Sequence, residues 1–96
     1  MTSKRTNWKD EVLSMLHGRK RVEQALTLSR VLAEISMAHR TLSLADWKAG
    51  MIELFEAGKI RLDDYTRALA DVADEPAMIE YNAANGYGYK WFVREV

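Results

Sequence analysis

The stretch MIEYNAANGYGYKWFV, residues 78–93, decides how the rest of the sequence is interpreted. Its ends are rich in aromatic and β-branched residues, which is typical of strands, and Asn85-Gly86 between them favours a two-residue type I′ turn. The stretch therefore predicts a β-hairpin with strands near 78–82 and 89–94. The predicted pairs are Tyr81–Lys90, Ile79–Phe92 and Met78–Val93. A slip at Gly88 would instead give a longer loop.

Upstream of the hairpin, apolar residues recur with the spacing of helices. The spacing predicts four helices, near residues 8–17, 20–38, 44–57 and 64–74. Asn7 and Ser43 stand where N-caps are expected, and Gly18 and Gly58 where helices commonly end. Either Asp63 or Asp64 would cap the fourth helix, which Pro76 would close. The predicted fold is therefore mainly α, of the α+β class, with four helices followed by a C-terminal hairpin.

The length of 96 residues predicts a single domain, because so short a chain cannot build two independent cores. Residues 19–96 would form its core and residues 1–18 an N-terminal helical extension. Gly50 lies inside the third predicted helix, where glycine costs about 1 kcal/mol relative to alanine. It indicates either close approach by the backbone of a neighbouring element or a weak position that the helix tolerates.

The composition excludes several classes of protein. The chain has no cysteine, which removes disulfides and thiolate metal sites and fits the cytoplasm, where we expect the protein. No apolar run approaches the roughly 20 residues of a membrane span, and the first ten residues do not resemble a secretion signal. We therefore expect no contact with a membrane.

The net charge of zero conceals an asymmetry along the chain. Residues 1–48 hold nine Lys and Arg against five Asp and Glu, whereas residues 49–96 hold five against nine. The run Arg19-Lys20-Arg21 is part of the basic excess, and it is where a polyanion would bind. The alternative is that the two halves complement each other within one chain or in a homodimer.

No combination of residues indicates catalysis, a metal or a cofactor. His17 and His39 are 22 residues apart and lack acidic residues at the short spacings of zinc and catalytic motifs. The serines of the predicted helices have no neighbouring base to activate them. We therefore expect a protein that is not an enzyme and that works by binding.

The order of helices followed by an aromatic hairpin with a Gly-rich tip resembles the winged helix-turn-helix proteins over about residues 22–96. The resemblance is one of architecture. It implies a first core helix at 22–39, a scaffold helix at 44–57, a turn at 58–62, a recognition helix at 64–73 and a wing at 82–88. In that family the recognition helix enters the major groove and the wing lies over the backbone or minor groove.

The resemblance implies a small DNA-binding transcriptional regulator, of the kind that plasmids and phages encode, with double-stranded DNA as its partner. The residues that would contact nucleic acid are Arg19, Lys20, Arg21, Arg61, Thr66, Arg67, Asn85, Tyr87 and Lys90. The alternative is a protein-interaction factor that docks on a host protein through the aromatic hairpin. A homodimer is compatible with either function.

Overall fold

The computed structural model describes residues 7–64, 72–83 and 86–96. Within these ranges the chain forms three α-helices and four strands. They are α1 (Trp8–Met15), β1 (Leu26–Thr27), α2 (Leu28–Ala38), α3 (Leu44–Glu56), β2 (Ile60–Asp64), β3 (Ile79–Ala83) and β4 (Gly86–Glu95), with 3₁₀ helices at Val22–Gln24 and Val72–Ala77. The mixture of helix and sheet agrees with the predicted α+β class. The prediction of four helices followed by a hairpin is wrong.

The four strands form one antiparallel sheet in which β4 is the central strand. β1 and β2 lie on opposite edges of β4, and both pair with Val93, through Leu26 and Leu62 respectively. β3 pairs with the first half of β4. The longest strand thus holds together segments from three distant parts of the chain.

The helix predicted at 20–38 begins eight residues late, at Leu28. Thr27 is its N-cap, with a side chain that accepts a hydrogen bond from the Arg30 N–H over 3.3 Å. The residue before it, Leu26, is buried in the sheet opposite Val93. Pairing with β4 therefore takes the first part of the predicted helix into a strand.

The turn predicted at 58–62 and the start of the fourth helix are also wrong. Residues 60–64 form β2, in which buried Ile60 and Leu62 alternate with exposed Arg61. This alternation is the period of a strand with one buried face. Residues 65–71 of the predicted helix lie outside the described residues, and its end falls in the 3₁₀ helix Val72–Ala77, which contains Pro76.

The C-terminal hairpin is present, but its register differs by two residues from the prediction. Ile79 pairs with Lys90 instead of Phe92, and the last pair joins Ala83 to Gly86, so Gly86 is not a turn residue. The reason is that β1 and β2 occupy both edges of β4 at Phe92. β3 therefore pairs nearer the start of β4, and Asn85 lies outside the described residues.

The buried side chains come from all three α-helices and all four strands. The most completely buried large residues are Trp47, Leu16, Leu28, Ile35, Met51, Ile60, Ile79, Val12, Val31 and Val93. The predicted caps are confirmed at Asn7 and Ser43, whose side chains accept from the backbone N–H of Lys9 and Asp46. Gly18 has the positive φ of 82° expected of a helix stop.

Gly50 is the point at which α1 meets α3. A Cβ atom at this position would lie 2.3 Å from Cζ2 of the Trp8 ring, far closer than atoms can approach. Gly50 is buried, and Trp8 is half-buried against the core. The neighbour that approaches Gly50 is the Trp8 ring, so the prediction of a close approach is right and the prediction that a backbone makes it is wrong.

We predict that Gly50→Ala lowers the free energy of unfolding by about 1 kcal/mol. Displacing the Trp8 ring costs about 1–3 kcal/mol, which exceeds the gain of about 1 kcal/mol in helix propensity. In a Trp8→Ala background the clash is absent, so the same substitution should stabilise the protein. Urea unfolding of the four variants tests this, and stabilisation by Gly50→Ala in both backgrounds would contradict it.

Candidate functional site

The basic tripeptide Arg19-Lys20-Arg21 lies beside the end of β4 and not, as predicted, at the start of a helix. The backbone N–H of Glu95 donates to the carbonyl oxygen of Arg19 over 2.7 Å. Nη1 of Arg94 donates to the carbonyl oxygen of Lys20 over 2.6 Å. These two hydrogen bonds attach the tripeptide to the sheet.

Arg94 is fixed from a second direction by Asp63. Its Nε donates to Oδ2 of Asp63 over 2.9 Å, and the two side chains are only 17% and 24% exposed. Arg61 is the cross-strand partner of Arg94, so the two side chains lie on the same face of the sheet. Arg94 therefore connects β2, β4 and the tripeptide.

Six basic residues from three segments meet in this region, which is termed the basic end. They are Arg19, Lys20, Arg21, Lys59, Arg61 and Arg94. The same segments, 17–24, 59–63 and 94–96, contain three acidic residues, Glu23, Asp63 and Glu95. Six positive charges against three negative ones leave an excess of three positive charges.

Three members of the basic end are exposed and have no acidic partner among the residues that the structure describes. They are Lys20, Lys59 and Arg61. Arg21, by contrast, lies 3.6 Å from a carboxylate oxygen of Glu23. The side chains of Lys20, Lys59 and Arg61 are thus available to an anionic ligand.

A second exposed surface is formed by the first half of α3, and it is termed the α3 surface. Leu44 is 43% exposed, and Ala45 and Ala49 are exposed one helical turn apart. Arg40, in the connection from α2, and Lys48 are the basic residues beside them. In the described part of the chain neither has an acidic partner.

The acidic residues in the second half of α3 are engaged within the protein. Glu53 accepts from the ammonium of Lys9 over 2.6 Å. Glu56 accepts from the hydroxyl of Tyr81 over 3.1 Å, and the Tyr81 ring meets the ring of Phe55 edge-on with centroids 5.1 Å apart. These contacts attach α1 and the hairpin to α3 and partly neutralise its acidic half.

Of the remaining predicted site residues, the structure describes Lys90 and the backbone of Tyr87. Lys90 is only 18% exposed and its ammonium lies 2.7 Å from Oδ1 of Asp64. Tyr87 is placed by its backbone, opposite Asn82 in the hairpin. Thr66, Arg67 and Asn85 lie outside the described residues.

Sequence reasoning missed Arg94, Lys59, Arg40 and Lys48. Arg94 and Lys59 belong to the half of the chain in which acidic residues outnumber basic ones. The charge asymmetry therefore gave no reason to expect a basic site there. Their position beside Arg19-Lys20-Arg21 depends on the pairing of β2 with β4, which the predicted turn and fourth helix excluded. The sequence indicates Arg40 and Lys48 only weakly, as basic residues near the start of a helix that follows another helix.

Both histidines are close to single carboxylates. Nε2 of His39 lies 2.6 Å from Oε2 of Glu11, which connects the end of α2 to α1. Nδ1 of His17 lies 3.8 Å from Oε2 of Glu95. A search of the described residues for three or more potential metal ligands in one place found no such group.

Comparison with known proteins gave no relative: no family model, no curated protein and no solved structure matches the chain. Within the described ranges, none of the helices has the length and apolar character needed to cross a membrane.

We predict that deprotonation of Tyr81 lowers the stability of the folded protein above pH 10. Partial burial, together with the hydrogen bond to Glu56 and its charge, raises the pKa of Tyr81 above the ordinary value of 10.0. A raised pKa means that the folded state favours the neutral phenol. The stabilisation that the Tyr81 phenol provides is therefore complete below pH 10 and is lost as the pH rises further. The stability difference between wild type and Tyr81→Phe should therefore narrow between pH 9 and 11.

Melting temperatures of the two proteins across that pH range provide the measurement. Glu56→Gln provides the control background, because glutamine keeps a hydrogen-bond acceptor and removes the negative charge. In this background the effect of Tyr81→Phe on the melting temperature should change less with pH. A difference that stays constant or widens above pH 10 would contradict the prediction.

Proposed function

We propose that the chain binds double-stranded DNA through α2 and α3, with the first half of α3 in the major groove, and that it regulates transcription by occupying its site. The observation that supports this is the α3 surface. It presents small and apolar side chains beside two basic residues that have no acidic partner in the described part of the chain.

The order of the two helices agrees with this mode of binding. In helix-turn-helix proteins the second of two consecutive helices enters the groove by its N-terminal residues, while the first helix crosses the backbone. α2 buries Leu28, Val31 and Ile35 in the core, and only residues 39–43 separate it from α3. The proposal thus gives α3 the recognition role that the resemblance to winged helix-turn-helix proteins implies for residues 64–73.

The side chains of the α3 surface suit the edges of base pairs. Ala45, Ala49 and Leu44 are apolar groups that can contact the methyl group of thymine in the major groove. We assign Arg40 and Lys48 to the phosphates on either side, because phosphate contacts supply most of the affinity for a duplex. Asp46 is the acidic residue of this half, and its backbone N–H is bound by the cap Ser43.

A negative charge placed on the α3 surface should weaken the binding of DNA. We predict that Ala49→Glu weakens the affinity for a random-sequence duplex of about 20 base pairs by at least about tenfold, because the new carboxylate faces phosphates across the groove. Fluorescence anisotropy at low salt gives the affinity. The matched control is Ser14→Glu, which adds the same charge at an exposed residue of α1, a helix that the proposal keeps away from the duplex.

The control should bind within about twofold of wild type, and both variants should keep the circular dichroism spectrum of wild type. Equal losses in the two variants would mean that net charge, and not the α3 surface, governs binding. If wild type fails to bind any duplex at low salt, the proposal is wrong, and capture of a protein partner through the hairpin becomes the experiment of choice.

A further inference from the structure

The basic end lies at the other end of α2 from the α3 surface. β1, which runs directly into α2, pairs with β4 at Phe92 and Val93, next to Arg94. The α3 surface follows the opposite terminus of α2. A helix of 11 residues is about 16 Å long, so the two basic regions are separated by roughly that length along α2.

We infer that the basic end is a second phosphate-binding site, which holds the backbone of the same duplex outside the groove that α3 enters. This inference rests on the proposed function. The separation of about 16 Å corresponds to roughly five successive phosphates, because phosphates of one strand recur about every 3.4 Å along the duplex axis. One duplex is therefore long enough to contact both regions at once.

The chemistry of the basic end suits phosphate groups better than base edges. Lys20, Lys59 and Arg61 are exposed cations from three different segments, and within the described ranges no carboxylate neutralises them. Such groups attract phosphates and do not discriminate between bases. The described residues of this region include no exposed phenylalanine, tyrosine or tryptophan ring on which a single-stranded base would stack, so a duplex backbone is the favoured ligand.

The basic end is also held in shape before any ligand binds. The Arg94 guanidinium bridges the Asp63 carboxylate and the Lys20 carbonyl oxygen, and the Glu95 N–H fixes Arg19. Lys20 and Arg61 therefore emerge from backbone that is attached to the sheet. A ligand that binds here does not have to order the tripeptide first, which favours affinity.

The test compares two sets of substitutions on one duplex of about 20 base pairs. Lys20→Gln, Lys59→Gln and Arg61→Gln together remove the available cations of the basic end. Arg40→Gln with Lys48→Gln removes those of the α3 surface and serves as the matched control. All five side chains lack acidic partners in the described part of the chain, so melting temperatures should change little.

Each lost phosphate contact lowers the slope of log K against log salt by about 0.9. The triple variant should therefore lower the slope by between two and three, the double variant by between one and two, and the combined variant by the sum. Additivity is expected when distant groups contact one ligand in the same complex. Losses that fail to add would show that the two regions bind separate duplexes, which would overturn the inference.

The outcomes separate the inference from the proposed function. If Ala49→Glu abolishes binding and the triple variant keeps the wild-type slope, the basic end is not a phosphate site while the proposed function stands. If the triple variant abolishes binding and neither Ala49→Glu nor the double variant has an effect, the α3 surface is not the interface. If wild type binds no duplex, both are wrong.

Discussion

The structure depends on Phe92 and Val93 of β4, which pair with a neighbouring strand on each side. β1 occupies one edge and β2 the other, so the backbone groups of this segment are satisfied inside the sheet. No edge is left there for β3, which sets the register of the hairpin. The start of α2 also follows, because its first residue comes directly after β1.

The same pairing assembles the charged surfaces. Arg94 follows Val93 and stands opposite Arg61, so the basic side chains of β2 and β4 are brought beside the tripeptide at residues 19–21. The second half of α3 is engaged by α1 and by the hairpin, through Glu53 and Glu56. The first half of α3 stays exposed. Because the sheet fixes one end of α2, one basic region lies at each end of this helix.

The features that were correctly predicted are those whose cause lies within a few residues of the chain. Asn7 and Ser43 cap their helices by hydrogen bonds to residues two and three positions later. The hairpin was predicted because strand-forming residues flank a short polar stretch. Residues 60–64 were misassigned because a strand of five residues shows only a brief alternation of apolar and polar residues. A short connection between helices can have the same pattern. Of the basic end, Arg19, Lys20, Arg21 and Arg61 were named from the sequence as contacts, and Lys59 and Arg94 were not.

The sequence by itself determined the α+β class, the positions of α1 and α3 and the existence of the hairpin. Only the tertiary structure decided which strands pair, where α2 begins and which charges meet. The physical reason is the range of the interactions. A cap or a helical stripe is an interaction between near neighbours in the chain, whereas Leu26 and Leu62 reach Val93 across 67 and 31 residues. Such pairs are chosen by competition among all segments for the two edges of one strand, and no local pattern records the outcome.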